Sequence, residues 1–356
     1  MENGRVKKLV DWSLKDLITH EGAPTVFSCF SCGGGSTMGY KKAGFKVLGC
    51  CEIDKKMIEV YIKNHKPKYP FLMSVSDFYK QDKDKLPKEI FELDVLDGSP
   101  PCSSFSMSST KREVKWGEKK HFREGQEAQH LDDLFFEFIK VADFLKPKIV
   151  VAENVAGLIK GNARGYVKQI FTNFREAGYE PQLFRLNSIH MNVPQARDRV
   201  FFIAYRKDLK LAKLKLDFNF PKITFGDIYC KEAVTIEDYL AKDSKAYFCC
   251  QNFKEGDLHM GDTLIRLGFK KTMFNQAYVT NNRVCSTLPA SQTKYVPYEL
   301  RRVNKVELRR IQTFPVDYDY IKNSYSHMLY MLGMSVPPNM MECIANEIKK
   351  QWIEKF

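Results

Sequence analysis

Cys102 closes the run Ser99-Pro100-Pro101-Cys102. Two successive prolines fix φ and remove two backbone donors, so the thiol ends a stiff turn just past a strand. Open α/β sheets bind ligands at such a place, and a thiolate there can act as a nucleophile. A buried structural thiol is the alternative. A nucleophile also needs an acid and groups that hold an electron-rich substrate. Glu153-Asn154-Val155 follows the apolar run at 149–152. It puts a carboxylate on the same rim, able to act as an acid near neutral pH. Gln195, Arg197 and Arg199 alternate along an extended segment and so share one face. Two arginines in line with an acid and a thiol suit an electron-rich base or a phosphate.

These residues need a sheet to carry them. Residues 91–96 are mostly apolar and read as a buried strand that Asp97-Gly98 breaks. A first strand at 25–30 runs into Ser31-Cys32-Gly33-Gly34-Gly35-Ser36 and a helix at 38–43. Strand, glycine loop and helix together present backbone amides to a ligand, although a plain tight turn has the same composition. The loop is not G-x-G-x-x-G, which disfavours a dinucleotide oxidoreductase. A second strand at 45–51 ends in Glu52, about 20 residues past the glycines, where an acid holds ribose hydroxyls. Ile53 beside it can cover an adenine face. Asp77-Phe78 follows a short apolar stretch, and Asp77 can accept from an adenine amino group or cap a helix. Helical periodicity marks 55–64, 131–145 and 167–177, the second with Leu134, Phe135, Phe138, Ile139 and Ala142 on one side. Strands are expected at 149–152, 182–187 and 200–205.

Residues 111–130 hold Lys111, Arg112, Lys115, Lys119, Lys120 and Arg123 with few apolar residues. Next to the thiol, this reads as a long loop able to close over a phosphate backbone, or as a solvated surface loop. The whole chain has 356 residues, enough for two domains, and its 56 Lys and Arg against 43 Asp and Glu give +13. That excess suits a polyanionic partner. The first twenty residues carry no apolar run, and none elsewhere approaches the ~20 residues of a membrane span. Ten scattered cysteines point to a reducing cytosol. Cys29 and Cys32 form a C-x-x-C with no second pair, so zinc is not expected.

The order of motifs resembles the cytosine carbon-5 methyltransferases that use S-adenosylmethionine. The resemblance is carried by Phe30 with Gly33, Gly34 and Gly35, then Glu52, Asp77, Pro100-Pro101-Cys102 with Phe105-Ser106, Glu153-Asn154-Val155 and Gln195-x-Arg197-x-Arg199. Glu307-x-x-Arg310-Ile311-Gln312-x-Phe314-Pro315 looks like the family's hinge motif, and Gly333-Met334-Ser335-Val336-Pro337-Pro338 like its closing motif. The match covers about residues 25–205 and 300–350. Three positions depart from it: Cys32 stands where the family usually has Gly, Ser103 where it has Gln, and Met334 where it has Asn.

The resemblance implies an α/β fold: a Rossmann-like S-adenosylmethionine-dependent methyltransferase sheet with helices on both faces, plus a small target-recognition domain. It implies a catalytic domain at 22–227, target recognition at 228–300, a hinge at 301–329 and a return to the catalytic domain at 330–356. The cofactor would be held by Phe30, Ser31, Cys32, Gly33, Gly34, Gly35, Glu52, Ile53, Asp77, Phe78, Pro100, Leu134, Ser335 and Val336, with no metal. Cys102 would attack carbon-6 of cytosine while Glu153 protonates N3. Asn154 would fix the loop, Arg199 would bind O2, Arg197 would help hold the thiol region and the closing loop, and Gln195 would join them among the catalytic residues. The base must leave the stack of a double-stranded DNA, and the basic loop would close behind it.

Residues 225–290 carry no family motif. They hold Tyr247, Asn252, Lys254, His259, Arg266, Lys270, Lys271, Asn275, Gln276, Asn281, Asn282 and Arg283, several of them types that pair with base edges. Cys285-Ser286-Thr287-Leu288 resembles the Thr-Leu element that ends family recognition domains. The same resemblance implies a monomeric, cytoplasmic, nucleoid-associated protein; a cognate restriction endonuclease acting on the same site without direct contact, a solitary regulator and a phage enzyme are the settings left open. Residues 1–21 read as a short helix or a loose arm. A transfer-RNA cytosine methyltransferase and a catalytically silent DNA-binding relative are the alternatives.

Overall fold

The computed structural model describes residues 2–101, 134–159, 164–270, 272–273 and 275–356. Cys102, Ser103, Phe105, Ser106, the basic segment 111–130 and Lys271 lie outside the described residues. The strands in chain order are β1 (Thr25–Cys29), β2 (Lys46–Glu52), β3 (Tyr69–Leu72), β4 (Val95–Gly98), β5 (Ile149–Val155), β6 (Tyr179–Asn187), β7 (Gln195–Ala196), β8 (Asp198–Arg206), β9 (Ala277–Tyr278), β10 (Cys285–Ser286), β11 (Lys294–Val296) and β12 (Arg301–Arg302). The chain divides into two units. One comprises Leu17–Leu186, Asp198–Asp217 and Met341–Phe356; the other comprises Met1–Asp16, Asn187–Arg197 and Phe218–Met340.

The first unit is built on a seven-stranded sheet in the order β3-β2-β1-β4-β5-β8-β6. β1 to β5 pair in parallel, so their carboxyl ends line one rim. β8 runs antiparallel to β5 and therefore begins on that rim, with Arg199 opposite Val155. On one face Phe27, Leu96, Val150 and Phe202 meet Phe78, Phe138 and Phe174 in an aromatic core. Each such side chain, fully buried, contributes roughly 1.5–3 kcal/mol. The opposite face packs Cys50 against Ile58 and Tyr61. A register shift makes this division possible: Val26 pairs with Val47 but Phe27 with Gly49. The skipped residue, Leu48, joins the aromatic face and Cys50 falls on the other, as a bulge permits.

β4 differs from the sequence expectation at both ends. Residues Lys88–Phe91 form a 3-10 turn, and the strand runs from Val95 through Gly98. Asp97-Gly98 does not break it. Gly98 is required there because an added Cβ would lie 2.4 Å from the Phe138 ring.

The second unit has small sheets only: β7 pairs with β10, and β9, β11 and β12 form a three-stranded sheet. Cys249, Cys250, Met260 and Tyr278 form a core beside the short helices Lys245–Gln251 and Met260–Arg266. The amino terminus is no loose arm. Helix Glu2–Val10 leads into Asp11, whose carboxylate is gripped by Arg309 at 2.5 Å and Arg310 at 2.7 Å. These arginines, on helix Lys305–Ile311, hold the Asp11 carboxyl below its usual range against the opposing effect of burial. Among the described residues no helix is long and apolar enough to cross a membrane, and no cluster of three His, Cys, Asp or Glu is arranged to hold a metal.

Candidate active site

The sheet rim collects the first group of candidate residues. After β1, Phe30 and Cys32 both take left-handed backbone, as does Gly34. Cys32 thus occupies a conformation that favours glycine. Its Sγ is turned onto Met57 Sδ at 3.7 Å. Glu52 is buried at the end of β2 and clasps this loop: Oε2 accepts the Cys32 N–H at 2.8 Å and Oε1 the Asp54 N–H at 3.0 Å. Ile53 beside it is half-buried. Phe30 packs near the Phe138 ring. Ser31 is buried, and helix Gly35–Lys42 starts at the third glycine.

Below the loop lies His65. Its ring meets Gly34 so closely that a Cβ on Gly34 would fall 2.1 Å from His65 Nε2. Nε2 lies 3.2 Å from the Gly33 carbonyl, which can only accept, so Nε2 carries the proton and donates it. Full burial, with Lys41 as a lesser cause, pushes the imidazole down to about 3. The unfolded ring titrates near 6.5, so the neutral native ring contributes stability above that pH, and the contribution is lost as pH falls from about 6.5 towards 3. Between pH 7.5 and 5 this amounts to about 2 kcal/mol. His65→Gln should therefore reduce the loss of stability between these two pH values by about that amount. Urea denaturation of both proteins at each pH measures it; parallel losses would show that His65 does not titrate this way.

Other cofactor candidates divide by exposure. Asp77 caps its own helix with Ser74: Ser74 Oγ donates to Asp77 Oδ2 at 2.6 Å and accepts the Asp77 N–H at 3.0 Å. Phe78 has no exposed surface and stacks on Phe27, so its ring serves packing. Leu134 is buried at the start of helix Leu134–Leu145. Pro100 is buried beyond β4, and its carbonyl accepts from Asn154 Nδ2 at 3.1 Å. Asn154 Oδ1 in turn accepts the Val155 N–H. The amide ties the end of β5 to the turn that leads into Cys102.

One residue before Asn154, Glu153 is buried and paired with Arg199, Nε to Oε1 at 2.9 Å. The antiparallel register of β5 and β8 produces the pair, since Arg199 enters β8 opposite Val155. Arg199 Nη1 also donates to the Asp198 carbonyl at 2.8 Å. An acid and a guanidinium thus stand together on the rim with the Pro100-Pro101 turn.

The extended segment of the sequence reading is interrupted at Arg197, and the two units divide after it. Gln195 and Arg197 find their partners within the second unit. Gln195 Nε2 donates to Gln312 Oε1 at 2.7 Å, and Gln195 Oε1 accepts the Leu288 N–H at 2.9 Å. Arg197 donates to the Leu288 carbonyl at 3.3 Å and the Gly333 carbonyl at 3.0 Å. Gln312 Nε2 donates to the Ser335 carbonyl at 2.6 Å. Ser335 and Val336 are buried. Four motifs far apart in sequence therefore meet in one buried network: Gln195-x-Arg197, Thr287-Leu288, the hinge and the closing motif.

A family model described as C-5 cytosine-specific DNA methylase matches residues 25–350. The chain belongs to this family. The enzyme methylates carbon-5 of cytosine in DNA. It is similar to the Type II methyltransferase M.FnuDI of Fusobacterium nucleatum, 28% identical over 351 residues that cover 93% of this chain and 95% of the relative. It is equally similar to the Type II methyltransferase M.NgoPII of Neisseria gonorrhoeae, 28% identical over 350 residues, 91% of this chain and 95% of the relative. In fold it is similar to a solved structure described as a DNA modification methyltransferase encoded within an E. coli prophage, with TM-score 0.67, 19% identity, and coverage of 92% of this chain and 99% of that one.

Sequence reasoning missed three residues that build this C-5 cytosine methylase. Asp97 was read as a strand breaker, and its neighbours Ser28 and Ser36 gave the available signal: small hydroxyls at interior positions. Gln312 was noted only within the hinge motif, although it links Gln195 to Ser335. Lys294 is buried and donates to Ser286 Oγ and the Thr287 carbonyl, both at 2.7 Å. Burial pushes its amine down to about 8. In the variable region Arg266 is committed internally, to Asp257 at 2.8 Å and the Asn252 carbonyl at 2.6 Å, which argues against a base-reading role for it.

Proposed function

We propose that the methyl donor is S-adenosylmethionine and that transfer proceeds through a covalent adduct of Cys102 with a cytosine flipped out of a specific double-stranded DNA sequence. The observation that carries this reading is the Glu153–Arg199 pair on the strand-end rim, with Asn154 holding the Pro100 carbonyl at the entrance to Cys102. The donor set also fits: a glycine loop with left-handed backbone, and a buried carboxylate, Glu52, at the end of β2. Phe30 to Gly35, Glu52, Ile53 and Asp77 would hold the donor. When bound, it supplies an electrophilic methyl group.

The chain's own residues do the rest. The Cys102 thiolate forms a bond to carbon-6, and the carbon-5–carbon-6 double bond gives up its electron pair. Glu153 donates a proton to N3, so charge is neutralised where it develops. Arg199 holds Glu153 and binds the base at O2. Carbon-5, now nucleophilic, would take the methyl group as the methyl–sulfur bond breaks and leaves its electron pair on sulfur. Loss of the carbon-5 proton to a solvent base restores the double bond and expels the Cys102 thiolate, and N3 returns its proton to Glu153. Gln195 and Arg197 act by fixing the closing motif.

The Type II naming of both relatives supports a restriction–modification setting, in which an endonuclease cuts the same site when it is unmethylated. The test is to incubate the enzyme with S-adenosylmethionine and a random pool of duplex DNA, then sequence after bisulfite conversion. 5-Methylcytosine confined to one short motif is the expected result. Methylation of RNA but not duplex DNA would overturn the reading.

A further inference from the structure

Asp97 lies inside β4, 2% exposed, three residues before Pro100. Among the described residues its partners are three hydroxyls. Oδ2 accepts from Ser36 Oγ at 2.6 Å and from Ser28 Oγ at 3.0 Å, and Oδ1 accepts from Tyr40 OH at 3.4 Å. Ser28 belongs to β1, while Ser36 and Tyr40 belong to the helix that begins at the glycine loop. A carboxylate buried among neutral partners is costly, and an apolar residue would serve strand packing better. Burial pushes its pKa up to about 6 against the hydrogen bonds from Ser36, Ser28 and Tyr40, with Glu153 adding a smaller upward push. Groups held at such cost cluster at functional sites.

We propose that Asp97 is a positioning residue for methyl transfer. It locks the strand that leads into Pro100-Pro101-Cys102 to the helix that carries the glycine loop, so that one buried carboxylate sets both the donor and the nucleophile. The inference rests on the reading of that loop as the donor site and of Cys102 as the nucleophile. Oδ2 accepts from hydroxyls of two separate elements, Ser28 and Ser36, and Oδ1 accepts from a third hydroxyl, Tyr40 OH. An amide has one acceptor oxygen, so its NH2 would replace one of these acceptors and force a hydroxyl to turn from donating to accepting.

The test compares the unsubstituted enzyme with Asp97→Asn and Ser36→Ala. Calorimetry gives S-adenosylmethionine affinity, single turnover at saturating donor gives the chemical step, and anisotropy gives DNA affinity. Asp97→Asn should weaken donor binding about tenfold and slow single turnover about tenfold, the scale of one charge-assisted hydrogen bond, with DNA affinity unchanged. Ser36→Ala should move both donor readouts the same way by about threefold. Should Asp97→Asn fail to fold, Ser36→Ala decides alone. Unchanged donor affinity and single-turnover rate in the folded variants, with at most a lower melting temperature, would overturn the proposal and leave the donor reading intact. Absence of donor binding by the unsubstituted enzyme would overturn that reading, and the proposal with it.

Discussion

Glu153→Gln is expected to slow methyl transfer about a thousandfold at saturating donor and DNA, within the 10²–10⁴ range for loss of a positioned acid. Glutamine keeps the size of the side chain and can still accept from Arg199, but it cannot take up a proton and pass it to N3. Because Glu153 and Arg199 are both largely buried as a pair, the variant also leaves a guanidinium without its counter-charge. Some stability is therefore lost as well, by less than the roughly 3–5 kcal/mol seen when fully buried pairs are broken. Donor and DNA affinities should stay within about threefold, since the interaction is made in the transition state. Single-turnover rates and equilibrium binding on the same protein separate these effects. A rate within about tenfold of the unsubstituted enzyme would remove Glu153 from the proton transfer.

Cys102→Ser should have a still larger effect, a loss of at least about 10⁴-fold, because a serine hydroxyl is scarcely ionised near neutral pH while a free thiol is a few per cent thiolate. Six of the other cysteines offer no substitute. Burial pushes the Cys50, Cys250, Cys285 and Cys343 thiols up to about 12, and it also raises Cys29 and Cys51 well above the ordinary thiol value. None of these is poised to ionise at neutral pH. Circular dichroism and donor binding would show that the variant is folded, and methyl transfer from labelled donor would give its residual activity. Residual transfer within a hundredfold of the unsubstituted enzyme would mean that a different group attacks the base.

Much of the sheet unit is legible from the chain because its parallel strands are buried on both faces and read as apolar runs ended by polar residues. Glu52 at the end of β2 and Glu153 at the end of β5 were visible for that reason: each is the first charge after an apolar run. Asp97 was not, because a charge inside a buried strand imitates a turn. Only the Ser28, Ser36 and Tyr40 hydroxyls, from another strand and a helix, make it tolerable there. Arg197 and Arg199 were read together by alternation. Their partners lie 91 and 136 residues from Arg197 in one case, and across an antiparallel strand pair in the other. No local pattern encodes such pairings. The same holds for the amino-terminal segment. Its composition is that of a solvated arm, yet Asp11 is bound by two arginines about 300 residues later.

The central claim, a covalent bond between Cys102 and cytosine, is tested most directly with duplex DNA containing 5-fluorocytosine, whose fluorine cannot leave as a proton does. Incubated with S-adenosylmethionine and a random-sequence pool, the enzyme should form an adduct that survives denaturation, maps to the peptide containing Cys102 and disappears in Cys102→Ser. Methylation of ordinary DNA with no adduct on the fluorinated DNA, or an adduct that persists in Cys102→Ser, would contradict the account.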